Sequence, residues 1–566
     1  IACLLVIENI LLGAAAFVLA IPLGFAFSQF VSLVIVRLLG IPKVIFISVS
    51  VGPIGFLAVY FLAIYVLVLL NLLRRIRKMT VHDFLYFEKQ NEKKMFGSSR
   101  KRNILFGVSV LIGAGALFLW HSRCSFEKFG EQSTTTWLMV SIILLILSSY
   151  GISATCADML LSVLLKSKKM KYRKDHLFVA RTFASKVRTM SFTFGTLSML
   201  ILLSLLCLNF SSINKGVYRT SIELNAPYDV EVFDWTQPFD DFNEYVRMID
   251  EDYTINKIMM YNVYKEPGHQ IQNYYDVQFY DYDPVMKLSD YNQCLALRNM
   301  DPIDLKDHEY FLVTNRQLLY KVENNEAVQR IRFAGEELHL KGIDTKSYWY
   351  NMNNTGRFTV IVPDAYVQGL EIAEPHLIVD TVEETTSELE EKIRTELKRF
   401  LVVTDENGEQ TKEYYRVNVR GTAIEEQNSM TAMMASICLY IAFILISAVG
   451  TILAVQSLSD AAKYTYRYQT LRRLGVNDRS LFRTVRKQLW ILFGVPVICP
   501  VISSFSMLTS VNHVYQVMLE SRFSYLFYFI GGLAIFFLIY GIYWMAAYIG
   551  FKRNISEEHS NENWDY

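Results

Sequence analysis

The residues best placed to do something together lie in one basic stretch, Tyr464 to Lys487. There Tyr464, Tyr468, Leu471 and Leu474 fall three or four apart, surrounded by Arg467, Arg472, Arg473, Arg479, Arg483, Arg486 and Lys487. That spacing puts the apolar members on one helix face. Gly475 then stops the helix, and Asn477, a good N-cap, restarts it. The expected product is a helix–turn–helix lying against a membrane face, a docking edge rather than a catalytic centre. Signatures of covalent chemistry are missing from the chain: there is no GxxxxGK[ST] to cradle nucleotide phosphates, no HExxH, no GxSxG and no Cys/His set with zinc spacing. His269, His308, His339 and His376 stand alone in sequence and read as ordinary surface or core histidines. Carboxylates such as Asp240-Asp241 and Glu383-Glu384 read as a solvated face, with the attraction of cationic peptides as the functional alternative. No metal or cofactor is expected in this chain, no nucleic-acid partner, and no enzymatic activity of its own.

The elements that must carry this stretch are dictated by hydropathy. Of 566 residues, 52% are hydrophobic, and eight uncharged runs are long enough to cross a hydrocarbon core, which takes roughly 20 residues. They lie within Asn9–Val36, Val44–Leu73, Asn103–Trp120, Thr134–Ala157, Thr189–Ile213, Met430–Ser459, Leu489–Val511 and Phe523–Phe551. Continuous apolar runs without alternation select helices over a closed barrel. Connectors after the second, fourth and sixth runs are rich in Lys and Arg, from Arg74 to Arg102, Lys166 to Lys174 and Lys463 to Lys487, while the links around Ile41, Gly130 and Asn512 are not. By the positive-inside rule the basic connectors are cytoplasmic. Ionisable residues are almost confined to the ends of the runs: Glu8, Asp158 and Asp460 at inner ends, Arg37 and His121 at outer ones. Charge is therefore not carried through the bilayer by the spans, and any energy source must be an intracellular partner that moves helices.

Formal charge is +1 overall, but Asn214 to Met430 holds 22 basic against 40 acidic residues and leaves +19 on the rest. This acidic block is expected to be an extracellular α+β domain over residues 214–429. Tyr228–Trp235, Ile258–Tyr264, Tyr274–Tyr280, Tyr310–Thr314, Arg357–Pro363 and His376–Asp380 read as strands, Phe239–Ile249 and Thr385–Phe400 as amphipathic helices. Further short helices are expected to begin near Thr80 and over Leu177–Arg188 at the inner face. The whole is a polytopic α-helical membrane protein: residues 1–75 hold the first spans, 76–102 a cytoplasmic connector, 103–213 the central spans, 430–551 the last three spans with the connector 460–487, and 552–566 a cytoplasmic tail. Cys124 and Cys294 both fall in segments expected outside, so a disulfide between them is one option and inert thiols the other. The start at Ile1, inside an apolar element, reads as an N-terminal truncation.

The run Arg467-Tyr468-Gln469-Thr470-Leu471-Arg472-Arg473-Leu474-Gly475-Val476, followed by Arg486-Lys487-Gln488 and a span holding Phe493 and Pro496, resembles FtsX-like ABC permeases of the bacitracin-resistance (Bce) type. Leu177-Phe178, Arg181 and Ser185-Lys186-Val187-Arg188-Thr189 before the fifth span add to the resemblance. So does the large domain between the fifth and sixth spans present. That family is built on ten spans, and the eight here fit if two N-terminal ones are missing. The resemblance implies a complex with a separate ABC ATPase that binds the ATP, in two copies, often joined by a sensor histidine kinase. It implies export, or removal from lipid-linked cell-wall precursors, of peptide antibiotics such as bacitracin and lantibiotics. The family's ATPase-coupling role carries over to Tyr468, Leu471, Arg472, Leu474 and Gly475; no substrate-contacting residue can be named. The alternatives are a non-transporting sensory scaffold and an FtsX-like mechanotransmitter for another substrate.

Overall fold

The structure, a computed structural model, describes residues 2–39, 51–78, 99–124, 132–166, 179, 182–183, 190–233, 242–268, 270–271, 282–314, 319–322, 325–326, 328–333, 335–345, 358–397, 400–404, 410–414, 416–515 and 524–562. Five long helices come first: α1 (Ala2–Leu39), α2 (Val51–Lys78), α3 (Ser99–Arg123), α4 (Gln132–Lys166) and α5 (Ser191–Asn225). Three more close the chain. Eight helices among the described residues are long and apolar enough to cross a membrane, and they coincide with the eight apolar runs. The expected helices near Thr80 and the strand Tyr274–Tyr280 lie outside the described residues, as does most of Leu177–Arg188.

Between α5 and the last three helices stands a mixed sheet with small helices on its faces. Its strands are β1 (Val230–Phe233), β2 (Ile255–Glu266), β3 (Asp283–Lys287), β4 (Glu309–Thr314), β5 (Arg330–Phe333), β6 (Glu336–Asp344), β7 (Phe358–Val362), β8 (Ile372–Thr381) and, after a separate hairpin of β9 (Phe400–Thr404) and β10 (Gln410–Tyr414), β11 (Arg416–Val419). The order is β11-β1-β8-β2-β3-β7-β4-β6-β5, with β3/β7 and β4/β6 parallel and the other pairs antiparallel. Strand alternation sends Val230, Val232, Leu377 and Val379 to one face, where α6 (Asn243–Asp252) and α8 (Ser387–Leu397) bury Tyr245, Ile249, Leu389 and Ile393 against them. Met259, Tyr261 and Ile378 point to the opposite face, under Tyr291, Cys294 and Leu295 of α7 (Leu288–Leu297).

The last helices are α9 (Arg420–Arg473), α10 (Asp478–Tyr515) and α11 (Ser524–Glu562). The buried positions on α5 include Phe194, Leu197, Ile201, Leu205 and Leu208; those on α9 include Leu439, Ala442, Ile446, Val449 and Leu453. Both sets advance by steps of three or four residues, the seam of a left-handed helix pair, and the two helices pack along one another. Helix α10 contains Pro496 and Pro500. Pro500 has no N–H, so the Pro496 carbonyl loses its intrahelical donor. The Ser198 hydroxyl of α5 donates to it instead, at 3.0 Å in the buried interior. Helices α1 and α2 sit at the margin of the bundle; α1 reaches α9 through Tyr440, whose hydroxyl meets Ser28 Oγ at 2.9 Å, and through Phe27 against Phe443.

The disulfide option is not taken up. Cys124, just past α3, and Cys294, on α7, are both free and buried, and the Cys294 thiol lies 3.9 Å from Met259 Sδ. Burial pushes the Cys294 thiol far above its ordinary range and makes it inert.

Candidate functional site

The elbow between α9 and α10 is built by backbone chemistry. Gly475 has φ of 87°, a left-handed conformation that costs glycine little. It lets the Gly475 N–H donate to the Arg472 carbonyl (2.8 Å) and the Val476 N–H to the Leu471 carbonyl (3.1 Å), the double closure of a Schellman motif. The next helix opens with the Ser480 and Leu481 N–H groups on the Asn477 carbonyl, at 2.9 and 3.1 Å. The expected turn is thus present. What differs is its first arm: no separate surface helix begins at Tyr464, because α9 runs unbroken from Arg420 to Arg473.

The five residues assigned a coupling role divide into two groups. Tyr468 is turned inward, 3% exposed, with its hydroxyl donating to Gln488 Oε1 at 2.9 Å and its ring edge-on to Phe551 of α11. Leu471 packs against the bundle core. Arg472 bridges both arms and α11: its Nε is 2.8 Å from Asp478 Oδ1 and an Nη is 3.2 Å from the Ile555 carbonyl. These three brace the elbow. Leu474, 74% exposed, and Gly475 form its apex, with Arg473 and Arg479 also at the surface. A large apolar side chain held out on a braced turn is the part of this constellation that can enter a pocket on another molecule.

At the other end, α5 and α9 meet the sheet together. Helix α5 leads into β1 and β11 leads into α9, and the two strands pair antiparallel from Val230↔Val419 to Phe233↔Arg416. The Arg420 N–H donates to the Asp229 carbonyl at 2.9 Å, and Arg420 Nη1 lies 3.8 Å from Asp229 Oδ1. Asp229 also accepts from the Thr381 N–H at 3.0 Å. Burial raises its carboxyl above the ordinary range, and neighbouring Asp380 adds to this against the opposing Thr381 N–H and Arg420. Gly421, first full turn of α9, passes so close to Thr385 and Thr386 that a Cβ would land on the Thr385 carbonyl. Its N–H donates to Thr385 Oγ1 at 3.2 Å.

One cluster escaped the sequence. His376 is 1% exposed and lies between two carboxylates, Nδ1 at 3.3 Å from Glu231 and Nε2 at 3.4 Å from Glu374. Its ring is stacked on Tyr261 (4.6 Å) and on Phe233 (5.2 Å). Burial by itself disfavours the imidazolium; the two carboxylates outweigh it and raise the histidine above its ordinary value. Glu374 and His376 are two apart on β8 and so share a face, a signal present in the sequence, but Glu231 joins them only through the β1/β8 register. Among the described residues no group of three or more His, Cys, Asp or Glu is arranged to hold a metal ion.

Comparison of the chain with models of known protein families returned no match, and comparison with curated proteins returned none.

Proposed function

We propose that this chain is the membrane-embedded permease subunit of an ABC-type system, moved by a separate ATPase that docks at the α9–α10 elbow. The observation that carries this is the unbroken α9. One of its ends is locked into the sheet through β11, and the other is a braced turn that presents Leu474. A helix of 54 residues, at ~1.5 Å rise each, is a rod of roughly 80 Å. A displacement of the elbow is then delivered to the sheet without any intervening joint.

The eight apolar helices and the basic connectors support a plasma-membrane location with the elbow inside and the acidic sheet domain outside. The resemblance of the 467–488 segment to bacitracin-resistance permeases supports peptide antibiotics of the bacitracin or lantibiotic type as what the outer domain engages, with a sensor histidine kinase as a further partner. In this assignment ATP is bound and hydrolysed by the partner, in two copies per permease. The test is co-purification of the chain with a P-loop ATPase from the same cells, followed by ATP hydrolysis measured with and without bacitracin or a lantibiotic. A stable complex whose hydrolysis changes with the peptide is expected. Failure of the two to associate sinks the permease assignment, and indifference to every cell-wall-active peptide sinks the antibiotic one.

A further inference from the structure

Between α10 and α11 an apolar groove of about 670 Å³ opens on the outside of the bundle. Its walls include Trp490, Gly494 and Ile498 from one helix and Phe537, Gly541 and Trp544 from the other. A Cβ added at Gly494 or Gly541 would meet nothing within 4 Å, so the missing side chains are what leave the space open. The one hydroxyl on its wall, that of Tyr540, is already spent on the Phe493 carbonyl at 2.8 Å. The other polar atoms of its lining are the indole N–H groups of Trp490 and Trp544, so the length is almost wholly apolar, and Trp490 and Ile498 are left well exposed beside it.

The groove changes character toward the elbow. Trp490 packs on Trp544 (5.0 Å), Trp544 stacks on Tyr548 (5.7 Å), and one turn further along α11 Lys552 Nζ sits 5.1 Å over the Phe482 ring of α10. Arg486, exposed, lies one helical turn from Phe482 and one turn from Trp490, on the same side of α10. The order is apolar cleft, aromatic girdle, basic mouth. That is the polarity sequence of a phospholipid read from tail to phosphate, at the depths where aromatic belts and basic pockets meet a bilayer.

We propose that this groove holds an acyl chain of an anionic membrane lipid, with the lipid phosphate at Arg486 and Lys552. The inference rests on reading α10 and α11 as membrane spans. The positive charge at the mouth selects an anionic lipid over a zwitterionic one.

The test is native mass spectrometry of the full chain in detergent, after equilibration with equal amounts of phosphatidylglycerol and phosphatidylcholine. Wild type should retain one phosphatidylglycerol in roughly thirtyfold preference, the factor for two basic side chains at a membrane surface. Gly494→Leu with Gly541→Leu fills the groove with residues that favour helix more than glycine does, and should abolish retention of either lipid. Arg486→Gln with Lys552→Gln leaves the groove open and should keep lipid binding while erasing the preference. Equal retention of the two lipids by wild type, or undiminished phosphatidylglycerol on the groove-filled variant, overturns the proposal. Absence of any adduct on wild type also overturns it and assigns the groove to a transmembrane helix of another chain. A chain recovered in the soluble fraction without detergent is a different failure, that of the membrane reading itself.

Discussion

At the scale of single residues, neighbours in the elbow are expected to fail in different ways. Tyr468→Phe removes the buried hydroxyl on Gln488 and should cost about 1–3 kcal/mol, the penalty for leaving a buried polar group unsatisfied; thermal denaturation in micelles reads it. Leu474→Asp, on an exposed apex, should shift stability by no more than about 0.5 kcal/mol yet abolish association with the ATPase. An intact complex would refute the docking role. Helical spacing grouped Tyr468, Leu471 and Leu474 on one face, and spacing says only that a face is apolar. Whether this chain or another covers it depends on α10 and α11, which no local pattern specifies. His376 makes a second case. Its folded form binds a proton more tightly than the ordinary value of 6.5, so the stabilisation is complete below pH ~6.5 and is lost as pH rises through the raised folded value. Amide-exchange protection of β1 and β8, corrected for intrinsic rate, should fall over that rise in wild type and stay level in His376→Gln. A flat wild-type profile would remove the imidazolium from the account.

At the scale of elements, Gly421 makes a close backbone contact between the start of α9 and the Thr385–Thr386 loop that follows β8. Gly421→Ala pushes a methyl into the Thr385 backbone, and backbone cannot rotate aside as a side chain can. The expected loss is about 1–3 kcal/mol of stability, whereas Gly107→Ala, where a Cβ meets nothing, should be neutral or slightly stabilising. Equal effects at the two positions would show that the contact is not tight. The eight long apolar helices were legible from composition because a helix able to cross lipid needs a long uncharged run and little else. The sheet was legible only in part. β1, β2, β4, β7 and β8 carry the apolar residues of a buried strand, but β3 holds Pro284, β5 and β11 alternate Arg330 and Arg332, or Arg416 and Asn418, with their apolar residues, and β6 is short of apolar residues. Their pairing partners, not their own composition, make them strands.

At the scale of the whole molecule, the two ends of α9 are expected on opposite sides of a membrane. In a background with the native cysteines replaced, Val382→Cys in the sheet domain should react with a membrane-impermeant maleimide on intact cells, and Leu474→Cys only after permeabilisation. Both side chains are well exposed, 67% and 74%, so reactivity reports sidedness. Labelling of both on the same side would end the transmission scheme. Among the described residues strand β11 pairs in the sheet with β1 alone, and β1 follows directly from α5. Sliding one leg of this fork along the other by a single residue would turn every side chain of the four-residue pair to the wrong face. The register resists shear between the legs, so in the proposed scheme a push on the turn at Gly475 arrives at the far side as a change of tilt.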